Sequence, residues 1–382
     1  MFTPEIIAQF SNTPTPFYHY DLKVLEQTLA ILKSEADRFN YHVHYALKAN
    51  SNNTILKTIL RQFGFGADCV SGNEILKAVE CGYDNSKIAF AGVGKSDQEI
   101  NIGLDHDIFC FNCESLPEIE VINELAANKN KIAQIALRIN PNVNAKTHHY
   151  ITTGLEENKF GINMWELESV AEALKGFHNI KLIGLHFHIG SQITDLSVFK
   201  GLCIRVNEIQ DWFITHNIIV DHINVGGGLG VDYENPDENL IPDFKSYFGL
   251  FNQFLKLQPN QQLHFELGRA VVAQCGNLIS KVLYIKNGVN TNFAIVDAGM
   301  TELLRPALYQ ATHKIENLSS TAAIQKYDVV GPVCESSDCF GKAINLPETK
   351  RGDIIAIRTA GAYGEVMANS YNLRELNEVL FT

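Results

Sequence analysis

The chain has 382 residues, of which 46% are hydrophobic and 19% are charged, and its formal net charge is −12. Such a composition is typical of a globular protein, and the length is sufficient for two domains. The acidic charge argues against a nucleic acid partner, which requires a basic surface. No apolar run is long enough to span a membrane, and the N-terminal residues lack the basic and apolar regions of a signal peptide. We therefore expect a cytoplasmic protein without membrane contact.

From about residue 22 to residue 268, strand-like runs alternate with segments of helical periodicity. The strand-like runs are His42–Leu47, Gly66–Val70, Lys87–Ala91, Asp107–Phe111, Ile132–Ile139, Leu182–His188, His222–Val225 and Leu263–Leu267. This alternation predicts an α/β fold with parallel strands, closed as a (β/α)8 TIM-like barrel or open as a doubly wound sheet. We expect the barrel, over residues 22–269. Ser71, followed three residues later by Glu74, predicts a capping box at one helix start.

The pattern changes after Arg269, where short strand-like runs follow one another with few helical segments between them. These runs are Val271–Ala273, Ile279–Ile285, Asn292–Val296, Ala322–Val330 and Asp353–Ile357. They predict a mostly antiparallel β-domain. By its pattern the early run Phe17–Tyr20 could pack on either domain. We assign residues 1–21 and 270–382 to this second domain.

Lys48 directly follows the first predicted barrel strand, His42–Leu47, and precedes a segment of helical periodicity. Barrels carry their chemistry at the carboxyl ends of their strands. A lysine that is partly desolvated in a barrel mouth deprotonates more readily and can attack a carbonyl carbon. A single lysine at a strand end is more often a solvated surface residue, so this interpretation depends on the rest of the chain.

Two further barrel strands end in residues suited to a planar, phosphorylated ligand. The segment Gly226–Gly230 follows the seventh predicted strand, and loops after strands seven and eight of barrels commonly bind phosphate through backbone N–H groups. His186 and His188 lie two residues apart in the sixth predicted strand, so their side chains point to the same face. We expect one of them in the core and His188 at the site, where an imidazole can stack on a flat ring.

Glu266 lies at the end of the eighth predicted strand, Leu263–Leu267, and Gly268 and Arg269 directly follow it. A carboxylate next to a pyridine nitrogen keeps that nitrogen protonated, and the protonated ring withdraws electrons from the reacting centre. An arginine can bind a substrate carboxylate through two parallel hydrogen bonds. For two isolated charges, a surface ion pair would be the favoured interpretation.

The predicted second domain contributes three polar segments. Arg305 and Tyr309 lie four residues apart and share a face if that segment is helical. One glycine-led turn contains Cys334 and Glu335, and another contains Tyr363. Elsewhere the cysteines form a single C-x-x-C pair without a second pair or a histidine doublet, so we expect no metal site.

Together these segments resemble the family of pyridoxal-phosphate decarboxylases with an alanine-racemase-like fold. The matching motifs follow in family order over nearly the whole chain: YALKAN (Tyr45–Asn50), GADCVSGNE (Gly66–Glu74), HIGSQ (His188–Gln192), GGGLG (Gly226–Gly230), ELGR (Glu266–Arg269), RPALY (Arg305–Tyr309), GPVCES (Gly331–Ser336) and AGAYG (Ala360–Gly364). One departure is Leu267, where the family usually has a proline that shapes the turn but donates no group. The resemblance implies a barrel followed by a β-domain, with pyridoxal 5′-phosphate as cofactor. It also implies a head-to-tail homodimer in which each second domain completes the partner's active site.

The resemblance implies a role for each matching residue. The residues expected to bind the cofactor are Lys48, His188, Gly227, Gly228, Glu266, Gly268, Arg269 and Tyr363. Those expected to bind an amino-acid substrate are Arg269, Arg305, Tyr309, Glu335 and Tyr363. The expected catalytic residues are Lys48, which would hold the cofactor covalently, His188, which would stack on its ring, and Cys334, which would donate a proton in the partner's site. Glu266 would contact the pyridine nitrogen, and Glu335 the distal end of the substrate.

The reaction that the resemblance implies is loss of CO₂ from meso-2,6-diaminopimelate to give L-lysine. A sibling decarboxylase of ornithine, arginine or carboxynorspermidine is the nearest alternative, although the ornithine and arginine enzymes resemble one another in having aspartate at the position of Glu335. An amino-acid racemase of related fold would carry a tyrosine base in place of the GPVCES turn. A non-catalytic pyridoxal-phosphate carrier resembles the barrel alone, so the long second domain argues against it.

Overall fold

The computed structural model describes residues 2–143, 159–375 and 379–382. The backbone divides into two compact units. The barrel unit consists of Leu29–Gly230 and Asp243–Gly268, and the β unit consists of Met1–Thr28, Val231–Pro242 and Arg269–Thr382. Residues 22–28, 231–242 and 269, which the sequence assigned to the barrel domain, therefore group with the β unit. The functional division at residues 22–269 stays a prediction.

In the described part of the barrel unit, eight strands form a closed barrel. Every neighbouring pair is parallel. The strands are β2 (His42–Ala46), β3 (Gly66–Cys69), β4 (Ile88–Phe90), β5 (Cys110–Cys113), β6 (Ala133–Arg138), β7 (Ile180–His186), β8 (His222–Asn224) and β9 (Gln262–Leu267). Each lies within or close to a predicted run, because long alternations of strand and helix are the strongest pattern in a sequence. The doubly wound alternative is therefore excluded.

One amphipathic helix precedes the first of these strands, and further amphipathic helices connect them. They are α2 (Leu22–Arg38), α3 (Asn53–Phe63), α4 (Gly72–Cys81), α5 (Asp97–Asp105), α6 (Leu116–Asn128), α7 (Leu167–Leu174), α8 (Ser197–Thr215) and α9 (Phe244–Phe254). The Ser71 side chain caps α4 as predicted, but the Glu74 carboxylate accepts from the N–H of Val70 rather than closing a capping box. Among the described residues, no helix is both long and apolar enough to cross a membrane.

The β unit contains one mostly antiparallel sheet. Its strands are β1 (Phe17–Tyr20), β10 (Gly276–Asn287), β11 (Asn292–Val296), β12 (Ile315–Asn317), β13 (Ile324–Val330), β14 (Cys339–Pro347), β15 (Ile354–Ile357) and β16 (Leu380–Phe381), and its helices are α1 (Pro4–Asn12), α10 (Arg269–Val272) and α11 (Arg305–Tyr309). The early strand β1 pairs antiparallel with β10, which settles its packing. The predicted fold class, a TIM-like barrel followed by a mostly antiparallel domain, is confirmed.

The predicted strand Val271–Ala273 is wrong, because this segment belongs to the short helix α10 and its end. The N–H of Ala273 donates to the carbonyl of Arg269, a helical hydrogen bond of 3.0 Å. A run of so few apolar residues fits the period of a strand and of a buried helix equally well. Tertiary context therefore decided this element.

Polar side chains line the inside of the barrel in two layers. Because side chains alternate along a strand, His222 and Asn224 of β8 share the inner face, as do His264 and Glu266 of β9. The layer nearer the amino ends of the strands contains histidines that stack on one another and on Phe109. These histidines are His42, His44, His222 and His264. The layer nearer the carboxyl ends contains Glu266.

Within the histidine layer, the rings are held close together without charge. His44 Nε2 lies 2.9 Å from His264 Nδ1, a hydrogen bond that needs one ring to donate and the other to accept. Burial lowers the pKa of His222 to about 3, and the neighbouring His44 lowers it further in the same direction. Burial likewise lowers the pKa of His44 and of His264. The layer is therefore built from neutral imidazoles.

We expect this layer to weaken the barrel in acid. The unfolded chain takes up protons on its histidines below about pH 6.5, whereas the folded His222 stays neutral down to about pH 3. Stability is therefore present above pH 6.5 and is lost as the pH falls from there toward 3, by up to about 1.4 kcal/mol per pH unit for each such histidine. His222→Leu should reduce this slope by roughly 1 kcal/mol per pH unit, measured as the free energy of unfolding in urea at pH 7, 6 and 5.

The matched control is His178→Leu, because His178 is exposed. Its slope should equal that of the unsubstituted protein. Equal slopes for the His222 variant and the control would contradict the prediction.

Candidate active site

Lys48 lies just beyond the carboxyl end of β2, in the one-turn 3₁₀ segment Leu47–Ala49. Its side chain is 39% exposed, and its Nζ lies 3.6 Å from Oδ2 of Asp68 on the adjacent strand β3. Asp68 itself is buried, and neither carboxylate oxygen has a hydrogen-bond partner in the described structure. Burial and the nearby carboxylate of Glu266 raise the pKa of Asp68 far above its usual range, although Lys48 opposes this. A proton can therefore reside on Asp68 beside the lysine amine.

The carboxylate of Glu266 occupies the centre of the upper layer and is held by three donors from three other strands. Asn112 Nδ2 donates to Oε1 at 3.0 Å, Asn224 Nδ2 donates to the same oxygen at 2.7 Å, and His186 Nε2 lies 2.8 Å from Oε2. Burial would raise the pKa of Glu266, but the bonded His186, then Lys48, bring it well below its usual range. The arrangement keeps a buried carboxylate ionised, ready to receive a cationic partner.

The loop after β8 brings bare backbone close to His188. Gly226 and Gly228 have φ values of 68° and 108°, and a Cβ at Gly227 would lie 2.0 Å from the carbonyl oxygen of Glu266. Only glycine fits these positions. The N–H of Gly227 donates to Nδ1 of His188 at 3.3 Å, so the imidazole is neutral and its Nε2 carries the proton. The result is a tightly packed glycine loop that holds the imidazole of His188 in a fixed orientation.

His188 lies two residues beyond the end of β7, in the irregular segment that follows the strand. Burial, Arg138 and Lys48 lower its pKa well below the usual value, in agreement with the neutral tautomer. Gly268 completes the barrel's part of the site, because a Cβ there would lie 2.9 Å from the Cβ of Ala49. This glycine allows the segment after β9 to pack against the segment that carries Lys48.

In the β unit, two buried arginines meet at one tyrosine. Arg269 Nη1 donates to the hydroxyl of Tyr233 at 2.6 Å, and its guanidinium lies 4.9 Å from the ring centre of Tyr363. The guanidinium of Arg305, at the start of α11, lies 4.8 Å from the ring centre of Tyr233. Both arginines are less than one-tenth exposed. Such a cluster of desolvated cations on aromatic faces suits an anionic ligand.

Cys334 and Glu335 lie on an exposed turn of the β unit. The carboxylate of Asp338 shapes this turn by accepting from the N–H groups of Met300 at 2.6 Å and Val333 at 2.7 Å. Glu335 Oε1 accepts from the hydroxyl of Tyr371 at 2.8 Å. The thiol of Cys334 is free, and its exposure leaves it accessible to another molecule.

The structure groups the predicted site residues into three sets. The barrel unit brings together Lys48, His188, Gly227, Gly228, Glu266 and Gly268. The β unit brings together Arg269, Arg305 and Tyr363, with Tyr309 at the end of the helix that Arg305 begins. Among the described contacts of the β unit, none joins the turn of Cys334 and Glu335 to the arginine cluster.

Sequence reasoning missed five residues that shape these sets: Asp68, Asn112, Asn224, Tyr233 and His313, whose Nε2 lies 2.8 Å from Nη1 of Arg305. Asp68 lies in a motif that was recognised, and a carboxylate at the carboxyl end of a barrel strand was a usable signal. The two asparagines sit at such strand ends as well, but an amide carries no charge that would mark it. Nothing in the sequence pattern marks Tyr233 or His313 as the partner of an arginine.

Known proteins resemble this chain over nearly its whole length. Residues 23–273 match the model of the family described as pyridoxal-dependent decarboxylases, pyridoxal binding domain. The chain is 61% identical over 371 residues to a diaminopimelate decarboxylase of Bacteroides thetaiotaomicron, which covers 97% of this chain and 96% of the relative. It is 41% identical over 367 residues to the diaminopimelate decarboxylase of Neisseria meningitidis serogroup B, covering 94% and 86% respectively.

A solved structure gives the same likeness in three dimensions. The diaminopimelate decarboxylase of Helicobacter pylori, complexed with L-lysine, superimposes with a TM-score of 0.92 at 41% sequence identity. The superposition covers 98% of this chain and 93% of that one. Both the barrel unit and the β unit therefore have counterparts in that protein.

The isolation of the Asp68 carboxylate generates a test of stability. In the folded protein the raised pKa of Asp68 favours its protonated form. The free energy of unfolding is therefore highest below the ordinary aspartate pKa of about 3.9, and it falls as the pH rises through the pKa of Asp68 in the folded protein. Asp68→Asn mimics the protonated form and cannot ionise. At pH 8 the variant should therefore be more stable than the unsubstituted protein by roughly 1–3 kcal/mol, and at pH 5 the difference should be smaller.

The measurement is urea unfolding of protein freed of bound small molecules, at both pH values. Asp211→Asn serves as the control, because Asp211 is exposed and the substitution should give no pH-dependent gain. A variant at position 68 that is less stable at pH 8 than at pH 5, relative to the unsubstituted protein, would show that Asp68 is ionised in the folded state.

Proposed function

We propose that this chain, which belongs to the family of pyridoxal-dependent decarboxylases, converts meso-2,6-diaminopimelate to L-lysine and CO₂. The observation that carries this conclusion is the 61% identity, over 97% of the chain, to a diaminopimelate decarboxylase. A related decarboxylase of 41% identity and the same fold binds L-lysine, the product of this reaction. The chain is thus an amino-acid decarboxylase that uses pyridoxal 5′-phosphate.

The barrel unit fits this cofactor. We assign the phosphate to the glycine loop after β8, whose backbone carries no side chains and packs closely on the segment after β7, since a Cβ at Gly226 or Gly228 would collide with neighbouring backbone. Glu266 is held ionised by neutral amides and His186, as a protonated pyridine nitrogen requires. Lys48 offers an amine beside Asp68, a carboxyl whose buried oxygens lack other hydrogen-bond partners in the described structure. These residues form the donor set that supports our assignment of the cofactor to the barrel unit.

Each barrel residue then has a proposed task. Lys48 holds the cofactor covalently, and Asp68 holds a proton next to the amine of Lys48, so that the amine can be neutral when it reacts. His188 presents the flat face of its neutral ring to the cofactor. Bound in this way, pyridoxal phosphate supplies an electron sink for the electrons that remain when CO₂ leaves. Glu266 strengthens that sink by keeping a proton on the pyridine nitrogen.

The β unit supplies the residues that recognise the substrate. We assign Arg269 and Tyr363 to the phosphate and to the substrate, and Arg305 and Tyr309 to the carboxylate at the distal end. That end also carries an ammonium group, for which Glu335 is the proposed partner. An ornithine or arginine substrate lacks this pairing of carboxylate and ammonium at its distal end, so charges of both signs favour meso-diaminopimelate.

Cys334 is proposed to give a proton to the carbon that has lost CO₂, in the active site of a partner chain. Support comes from its exposed, free thiol and from apolar side chains exposed in the same unit, such as Leu373 at 93%.

The functional unit is then a head-to-tail homodimer in which residues 22–269 bind the cofactor and residues 1–21 and 270–382 complete the partner's site. The eight unpaired cysteines agree with a cytoplasmic location.

The proposed activity can be tested by CO₂ release from meso-diaminopimelate, L-lysine, L-ornithine, L-arginine and carboxynorspermidine. Because each charge-assisted contact contributes about ten- to a hundredfold, kcat/KM for meso-diaminopimelate should exceed that for every other compound by at least about tenfold. Lys48→Ala is the control and should release no CO₂ above background. Equal or higher efficiency with ornithine or carboxynorspermidine would assign the chain to a sibling activity.

The shared site predicts complementation between two inactive variants. Lys48→Ala and Cys334→Ala homodimers should each have little activity. After subunit exchange, about half of the dimers are hybrids with one intact site of two, so activity should return to about one quarter of the unsubstituted level. Exchange is verified with subunits that carry different affinity tags. No recovery in verified hybrids would mean that each chain builds its own site.

A further inference from the structure

The guanidinium of Arg305 is a buried positive charge, with the residue only 5% exposed. Among the described residues, no carboxylate lies within ion-pair distance of it. Its described contacts are the ring of Tyr233, 4.8 Å from the guanidinium carbon, and a hydrogen bond of 2.8 Å from Nη1 to Nε2 of His313. A buried cation is costly unless an anion compensates it, so Arg305 is poised for the anionic group of a ligand.

His313 is held in a single tautomer by its two partners. Its Nδ1 lies 2.8 Å from the carbonyl oxygen of Arg358, which can only accept, so Nδ1 carries the hydrogen. Its Nε2 faces a guanidinium, which can only donate, so Nε2 is an acceptor. Both ring nitrogens are therefore used, and the imidazole is neutral. A protonated ring would have to break the bond to Arg305.

The surroundings of His313 hold this arrangement in place. The residue is 6% exposed, and its ring packs edge-on against Tyr233 at 5.1 Å between centres. Burial, and after it Arg305, lower the pKa of His313 to about 3. The guanidinium of Arg358 is directed to Asp237 and Glu316, which fixes the backbone whose carbonyl anchors the imidazole. The guanidinium of Arg305 thus contacts two neutral groups, the hydrogen-bond acceptor of His313 and the aromatic ring of Tyr233.

We propose that His313 is a positioning residue that orients Arg305 toward the carboxylate at the distal end of the substrate. One of the five N–H donors of the guanidinium is given to His313, and the fixed plane directs the others toward the ligand. If the guanidinium of Arg305 lost this orientation, the affinity for the distal carboxylate would fall, whereas the rate of the chemical step would change little. The inference rests on the proposed function, because it takes the distal carboxylate of meso-diaminopimelate as the group that Arg305 binds.

Two substitutions at this position separate the two hydrogen bonds of the ring. His313→Asn places an amide near Nδ1, so it can still donate to the carbonyl of Arg358, but it is too short to reach Arg305. His313→Gln places an oxygen near Nε2, so it can still accept from Arg305 while the carbonyl bond is lost. Both variants lose the imidazole ring and its packing. Should the Asn variant fail to fold, His313→Met fills a similar volume without a strong acceptor and takes its place.

The ligands are chosen to isolate the distal carboxylate. L-lysine retains that carboxylate and pentane-1,5-diamine lacks it, so their inhibition constants are compared in the holoenzyme. In the Asn variant, KM for meso-diaminopimelate and the inhibition constant of L-lysine should both rise by roughly tenfold. The inhibition constant of the diamine should stay close to its original value, and kcat should fall far less than KM rises. The Gln variant should recover most of the lost affinity.

The outcomes distinguish the inference from the function on which it rests. If both variants weaken lysine and diamine alike, or if Asn and Gln have equal effects, His313 only fills space and the inference is wrong. Unchanged constants in the Asn variant, with unsubstituted enzyme that is active on meso-diaminopimelate, would overturn it as well. If the unsubstituted enzyme neither acts on meso-diaminopimelate nor binds L-lysine, the proposed function itself fails and the inference falls with it.

Discussion

A buried carboxylate that must stay ionised is the constraint on which the barrel interior depends. Glu266 is only 7% exposed to solvent. Because water cannot solvate its carboxylate, hydrogen bonds from the protein must stabilise the charge. Asn112, Asn224 and His186 provide these bonds from β5, β8 and β7. Donors from separate strands converge on one point only when the sheet closes and each strand keeps its register, since a slip of one residue would turn each donor outward.

Two buried carboxylates in the same barrel mouth are driven in opposite directions. Glu266 accepts three hydrogen bonds, and its pKa falls despite burial. Asp68 accepts none within hydrogen-bond distance, and burial together with the charge of Glu266 raises its pKa. One carboxyl is thereby kept as an anion and the other is free to hold a proton next to Lys48. A pair of acids with separated pKa values is how an enzyme obtains both an electrostatic partner and a proton store in one site.

The β unit buries positive charge, whereas the barrel unit buries the carboxylates of Glu266 and Asp68. Arg269 and Arg305 both lie against Tyr233, whose ring and hydroxyl offer them a face and an acceptor without neutralising them. His313 adds a neutral acceptor to Arg305 for the same reason. Neutral partners fix the direction of a guanidinium without neutralising its positive charge, which can then pair with an anionic ligand. A carboxylate partner would have neutralised that charge. The barrel unit thus presents a fixed anion, and the β unit presents fixed cations.

The sequence alone determined the barrel, the second sheet and most of the residues expected to act. Alternating strand and helix periods span hundreds of residues, and Lys48, Gly226–Gly230 and Glu266 each follow or end a predicted strand. The short run Val271–Ala273 was misread, because a few apolar residues fit either period. Only the tertiary structure supplied the partners, such as Asp68 beside Lys48 and His313 beside Arg305. Their pairing depends on strand register and on loop geometry. A side chain's protonation depends on burial, which a linear pattern does not record.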